Sequence, residues 1–162
     1  MMSRLVSAGL VWACAYGWWR TIAMALRAYG TELFEGGEWL EVGRGVGLRE
    51  AQGLKDLVPA ELSGSARLAE ALKRSHWAVL EDAVVEEREG VVELGIYGCS
   101  AREALAKWGA KAYDCARFTK AVLEGLALGL GLRVEVELLR PPRRAGRGEE
   151  ACRWRLKVLG EA

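Results

Sequence analysis

Three cysteines in the second half of the chain, Cys99, Cys115 and Cys152, are the residues best suited to chemistry. Cys99 follows a predicted strand, Cys115 opens an apolar helix and Cys152 begins the last strand. A thiolate is both a nucleophile and a zinc ligand, and the start of a helix lowers a thiol pKa. If the three ends meet, Cys115 and Cys99 are candidate catalytic residues, with Asp114 or His76 as acid–base partner. The alternatives are a zinc site or three ordinary core cysteines.

A single histidine and two tryptophans complete the set of candidates. We expect His76, Trp108 and Trp154 to line a ligand pocket together with Cys152, since tryptophan supplies large apolar area. One histidine cannot build a multi-histidine metal site, and the cysteines match no zinc-finger spacing. No nucleotide-binding or Gly-x-Ser-x-Gly motif is present, so no cofactor is expected apart from the zinc alternative. Simple core packing is the competing explanation for the tryptophans.

Composition and charge narrow the class of protein. The 162 residues are 51% apolar and 28% charged, which is typical of one globular domain. A net charge of +1 provides no field that would attract nucleic acid or an acidic membrane. The absence of asparagine and the abundance of arginine and glutamate indicate a heat-adapted source. We expect a cytoplasmic protein with reduced thiols.

The uncharged segment from Leu5 to Trp19 has two interpretations. It is about the length of a signal-peptide core, but it is short for a membrane span of roughly 20 residues. The apolar pattern continues beyond Arg20 to Leu26. We therefore expect one helix over residues 3–29, buried against the domain or at a homodimer interface.

The periodicity of apolar residues predicts an α+β fold. Residues 1–76 are mainly helical, and residues 77–159 form strands and covering helices in the same domain. We expect strands at 77–87, 91–98, 132–138 and 152–158, helices at 100–108 and 112–129, and a sheet of about four antiparallel strands beneath the second helix. In the last hairpin, Val136 should face Trp154 and Glu137 should face Arg153, which gives one dry and one charged face.

Short motifs after residue 91 resemble those of two related families. The pieces are Tyr97-Gly98-Cys99, Tyr113-Asp114-Cys115, the helix at 121–127, the strand that follows it and the strand at 152–156. They are similar to the 4-vinyl reductase-like ligand-binding domain and to the L-2-amino-thiazoline-4-carboxylate hydrolase-like family. The resemblance implies a domain related to nitric-oxide-sensing and trafficking-particle folds, which holds small ligands and often dimerises. It also implies possible hydrolysis of C–N or C–S bonds.

Three functions are compatible with these residues. The first is a small-molecule-binding domain whose apolar pocket, rimmed by cysteines, takes a small apolar or heterocyclic ligand. The second is a cysteine-assisted hydrolase of a heterocyclic or amide-like substrate. The third is a dimerising structural or interaction subunit, which the aromatic first helix favours.

Overall fold

The structure is a computed structural model that describes residues 2–146 and 148–162, with side chains from residue 14 onward. It confirms the α+β class. The helices are α1 Met2–Tyr29, α2 Gly37–Leu54, α3 Gly64–Arg74, α4 His76–Leu80, α5 Ser100–Lys107 and α6 Ala116–Gly129, with a 3-10 turn at Glu32–Phe34. The strands are β1 Val84–Arg88, β2 Val91–Ile96, β3 Leu132–Arg140 and β4 Cys152–Glu161.

The four described strands form one antiparallel sheet in the order β1-β2-β4-β3. Helices α3 and α6 pack on its dry face. Leu94, Trp154 and Leu156 point from the central strands into this core and are almost fully buried. Two helices therefore cover the dry face of the sheet, whereas the sequence predicted α6 alone.

The last hairpin has a different register from the predicted one. Val136 pairs with Leu156 and Leu138 with Trp154, so the predicted partners were wrong by two residues. A bulge follows Leu138 and the loop is centred later than expected. Because side chains alternate between faces with a period of two, a slip of two keeps the same dry face and the same charged face.

The strand predicted at 77–87 is also wrong in its first half. Residues His76–Leu80 form the short helix α4, so His76 begins a helix and does not end α3. Trp77 is buried in the main core whereas Val79 is 57% exposed. These two apolar residues therefore lie on opposite sides of a helix and do not share one face of a strand. Asp82 has a positive φ of 46°, and this turn separates α4 from β1.

Helix α6 begins four residues later than the predicted 112. The Asp114 carboxylate accepts a hydrogen bond of 2.9 Å from the Ala116 amide, a local turn that competes with the helix. The Tyr113 hydroxyl donates to the Phe34 carbonyl at 3.1 Å. Cys115 therefore occupies the N-cap position and not the first helical turn.

Helices α2 and α6 cross with their backbones almost in contact. Gly47 of α2 faces the Val122 carbonyl so closely that an added Cβ would overlap it. Gly125 of α6 meets the Arg44 carbonyl in the same way. The glycine-rich segment of α2 is thus shaped for this crossing.

Helix α1 lies across the other side of α6. Ile22, Ala23 and Leu26 bury against α5. Among the described helices, none combines the length and the hydrophobicity that crossing a bilayer demands. The predicted helix at 3–29 agrees with the backbone of α1, but the side chains before residue 14, Trp12 included, lie outside the described residues.

Candidate functional site

The three cysteines of the second half line one cavity between α1, α4, α5, α6 and the sheet. The cavity has a volume of about 140 Å³. Most of its wall is apolar or aromatic, and its lining includes Ala15, Trp18, Trp19, Val46, Trp77, Ile96, Cys99, Ala101, Cys115, Phe118, Val122 and Cys152. The topology thus brings together thiols from β4 and from the starts of two helices.

Burial makes all three thiols reluctant to ionise. It holds the pKa of Cys99 well above its ordinary value, and the nearby charge of Glu81 adds to the effect. Burial raises the pKa of Cys115 to about 11, although the positive charge of Arg102 acts in the opposite direction. Burial likewise raises the pKa of Cys152 to about 12. The prediction that the helix dipole lowers the pKa of Cys115 was wrong, because desolvation outweighs the dipole.

A polar strip interrupts the apolar wall of the cavity. His76 Nδ1 lies 2.9 Å from Glu50 Oε1, and the His76 amide donates to the same oxygen at 3.0 Å. Burial opposes the charged form of the imidazole, but Glu50 outweighs it and raises the pKa of His76. Burial raises the pKa of Glu81, whose carboxylate accepts hydrogen bonds from the hydroxyl and the amide of Ser100.

Cys99 is the cysteine that connects the cavity with solvent. Its sulfur accepts a hydrogen bond of 3.4 Å from the Arg102 amide, so Cys99 caps α5. Cys99 and Ser100 also line an open cleft of about 580 Å³ on the outer surface. Among the three cavity thiols, Cys99 is half-buried whereas Cys115 and Cys152 are buried.

The other predicted site residues have different positions. His76 lines the cavity, and Trp154 is buried beside Cys152 without lining it. Trp108 lies outside the cavity, with its indole nitrogen donating to the Tyr16 hydroxyl at 3.0 Å. Asp114 is exposed and does not line the cavity, although its charge acts on the neighbouring Cys115 thiol and raises the pKa of that thiol. Its role as an acid–base partner stays a prediction.

Sequence reasoning missed the two carboxylates of the polar strip, half-buried Glu50 and buried Glu81. Glu50 belongs to α2 and Glu81 follows α4, and each looks like an ordinary surface residue in the sequence. Ser100 directly follows Cys99, and nothing in the sequence indicated its buried contact with Glu81. Within the described part of the chain, no group of three or more Cys, His, Asp or Glu side chains has an arrangement that could hold a metal ion.

Comparisons with known proteins give a fold but no family. No family model matches the chain, and no curated protein matches it. Among solved structures, the chain is similar to trafficking protein particle complex subunit 3 from Naegleria fowleri, which is covalently bound to palmitic acid. The two share 14% sequence identity with a TM-score of 0.55, over 96% of this chain and 97% of that one. At this identity the similarity establishes a shared fold.

This result corrects the resemblance drawn from the sequence. The 4-vinyl reductase-like and thiazoline hydrolase-like families were the wrong identification, because no family model matches and the structural neighbour is a trafficking-complex subunit. The expected hydrolysis of C–N or C–S bonds rested on that resemblance alone and loses its basis. Trafficking-particle folds were among the wider relatives that the resemblance implied, so the fold was reached through the wrong family.

Proposed function

We propose that this chain is a non-catalytic subunit of a protein assembly and that its thiol-lined cavity receives a fatty acyl chain. One observation carries the proposal. Three cysteines from separate elements converge on an apolar cavity, in a fold shared with a trafficking subunit that carries covalent palmitic acid. Burial of an acyl chain contributes about 0.8 kcal/mol per methylene, so even part of a chain would be held firmly.

Cys99 is the thiol to which an acyl chain would be attached. It borders both the open cleft and the cavity, so an activated acyl donor can approach from solvent while its chain enters the interior. In that step the sulfur loses its proton and forms a C–S bond with the acyl carbon, while the leaving group of the donor departs with the bonding electrons and takes up the proton. Since burial holds the pKa of this thiol high, a slow single modification fits better than rapid turnover.

The size of the cavity constrains how a chain would be held. Its volume of about 140 Å³ is below the roughly 300 Å³ at which ordinary ligand pockets begin. Trp18 and Trp19 of α1 form one wall, so a long chain would require this helix to shift. A small apolar molecule bound without a covalent bond fits the cavity as it stands and is the second candidate.

An exposed apolar strip beside the cavity supports the assembly role. Trp18 is 46% exposed, and Val42 and Val46 on the outer side of α2 are 44% and 40% exposed. The ring of Trp18 stacks on that of Trp39, one helical turn before Val42, with centroids 6.2 Å apart. Large apolar side chains that cluster on a surface are typical of subunit interfaces. We expect a second subunit to pack here, in the simplest case another copy of this chain.

Intact mass spectrometry tests the acyl chain. The purified protein is incubated with an activated palmitoyl thioester and its mass is measured under denaturing conditions, with and without neutral hydroxylamine, which cleaves thioesters. We expect one palmitoyl group on the wild type and on Cys14→Ser, whose cysteine is exposed, but none on Cys99→Ser. An adduct that depends on Cys14, or no adduct, contradicts the proposal. A mass that is present only under native conditions supports the small-ligand alternative.

Sedimentation velocity tests the assembly strip. An aspartate at Val42, which does not line the cavity, should lower the association of the chain, because a charge at an apolar interface loses its hydration on binding. The matched control places an aspartate at Val79, which is 57% exposed against 44% for Val42 and lies elsewhere. A wild-type protein that stays monomeric at every concentration, or an equal loss in the control, contradicts the interface.

A further inference from the structure

The open cleft beside Cys99, from which the proposed acyl donor approaches, has features of a binding site in its own right. Its volume of about 580 Å³ lies within the roughly 300–1,000 Å³ typical of ligand pockets. Arg102 of α5 and Arg143 and Arg144 of the β3–β4 loop bring three guanidinium groups to its lining. Tyr97, with aliphatic residues beside it, supplies an apolar part of the wall.

The guanidinium groups at the cleft are held by neutral partners. Arg102 donates from Nη1 to the Tyr113 carbonyl at 3.0 Å and from Nη2 to the Lys111 carbonyl at 2.9 Å. Its Nε is buried without a hydrogen-bond partner. A carbonyl orients a guanidinium but carries no net charge, so the positive charge of Arg102 has no carboxylate hydrogen-bonded to it.

The two loop arginines differ in their carboxylate contacts. Arg143 Nε donates to the Glu150 carbonyl at 3.1 Å, and among the described residues its carboxylate contact is a long one of 4.0 Å with Glu149. Arg144 has no ion pair with any residue that the structure describes. Arg147, the last basic residue of this loop, lies outside the described residues.

The arginines on the wet face of the sheet behave differently. Arg153 lies 2.7 Å from Glu150 and 3.0 Å from Glu93, and Arg155 lies 3.0 Å from Glu93. These arginines take their counter-charge from carboxylates of the sheet. Arg102 and Arg144 at the cleft have no such partner among the described residues, so a ligand can supply their counter-charge.

We propose that the cleft binds a small organic anion, a carboxylate or a phosphate ester that carries an apolar group. The anion would lie between Arg143 and Arg144, with Arg102 behind it, and the apolar group would pack on Tyr97. The carboxylates of Asp82 and Glu103 also line the cleft. They oppose polyanions such as nucleic acid, and they restrict the ligand to one or two negative charges.

Phenyl phosphate and phenylacetate are suitable probes, and benzyl alcohol is the neutral comparison. We expect saturable binding of at least one anion by isothermal titration calorimetry, and at least ten-fold weaker binding of benzyl alcohol. The double variant Arg143→Gln with Arg144→Gln should lose at least ten-fold in affinity. Arg88→Gln, which removes one charge from an exposed position at the other end of β1, should bind like the wild type.

Three results would overturn the proposal: no saturable binding of either anion, unchanged affinity in the double variant, or an equal loss in Arg88→Gln. Amide chemical shifts in the wild type provide a second measurement that requires no variant. The largest shifts should fall on Tyr97 and Ala145 at the cleft; if they fall on Phe118 and Thr119 at the cavity, the proposed site is wrong. The binding assay needs no acyl group, so its outcome is independent of palmitoylation. If the protein binds phenyl phosphate but accepts no palmitoyl group, the proposed function is wrong and the anion site still stands.

Discussion

Helix α6 borders two regions that are packed in opposite ways. On the side of α2, glycines bring two backbones together and leave no room for a single methyl group. On the side of α1, the side chains of Phe118 and Val122 border a cavity of about 140 Å³. Val122 takes part in both, with its carbonyl at the crossing and its side chain at the cavity. The crossing therefore fixes the helix on one side, whereas the other side keeps a hollow, which we propose is filled by a ligand.

The largest effect that we expect is in the reactivity of the thiols. At neutral pH, iodoacetamide should label exposed Cys14 at least about a thousand times faster than buried Cys115 and Cys152, which react only through opening of the fold. Cys99 should fall between these limits. Mass mapping after timed quenching measures each rate. Rapid labelling of Cys115 in the folded protein would mean that the cavity is open and its thiol is activated.

The α2–α6 crossing should be intolerant of a methyl group. Gly47→Ala should lower the free energy of unfolding by about 3 kcal/mol, because the new Cβ overlaps the Val122 carbonyl and the helices must separate. Gly45→Ala, in the same helix with open space around it, should raise stability by up to about 1 kcal/mol. Urea denaturation of both variants measures the contrast. Equal effects would show that the glycines serve flexibility and not the crossing.

Removing methyl groups should lower the free energy of unfolding less beside the cavity than in the tightly packed core. Val92→Ala, at a fully buried position of β2, should lose about 2 kcal/mol through lost contacts and a new cavity. Val122→Ala should lower the free energy of unfolding by about half as much, because part of the Val122 side chain already faces empty space. Paired denaturation curves test this. A loss at Val122 that equals the loss at Val92 argues that the hollow is filled in solution.

The polar strip of the cavity should give the smallest effect, a dependence of stability on pH. His76 and Glu81 both have raised pKa values in the folded state, so the native protein binds their protons more tightly than the unfolded chain does. Stability should therefore fall as the pH rises above 6.5 through the raised pKa of His76. His76→Gln should flatten this slope, whereas a change at exposed Arg88 should not. An unchanged slope in His76→Gln would contradict the Glu50–His76 contact.

The class of the fold could be predicted because the spacing of apolar residues and the glycines that end helices are local signals. The two faces of the β3–β4 hairpin were right although the partners were wrong, since a slip of two residues leaves the pattern unchanged. The first half of the strand predicted at 77–87 was wrong because Trp77 and Val79 are two residues apart, as on one face of a strand. In helix α4 they lie on opposite sides, with Trp77 buried and Val79 exposed.

The candidate site could be predicted only in part. The sequence allowed Cys99, Cys115 and Cys152 to meet, because all three stand at element ends, but it left the meeting open. The structure brings all three to one cavity. Their high pKa values could not be foreseen, because the sequence shows the helix start at Cys115 but not the depth of its burial. The contact of Glu50 with His76 depends on how α2 and α4 pack, and no local pattern encodes it.

The central claim is that the thiol-lined cavity is a dry apolar chamber able to hold part of an acyl chain. A crystal of hydroxylamine-treated protein under xenon pressure tests it most directly, since a dry cavity of about 150 Å³ takes up xenon. We predict one strong xenon peak between Phe118, Val122 and the sulfur atoms of the cysteines. Ordered water at hydrogen-bonding distance from Glu81 and His76 in that space, with no xenon, would contradict the account.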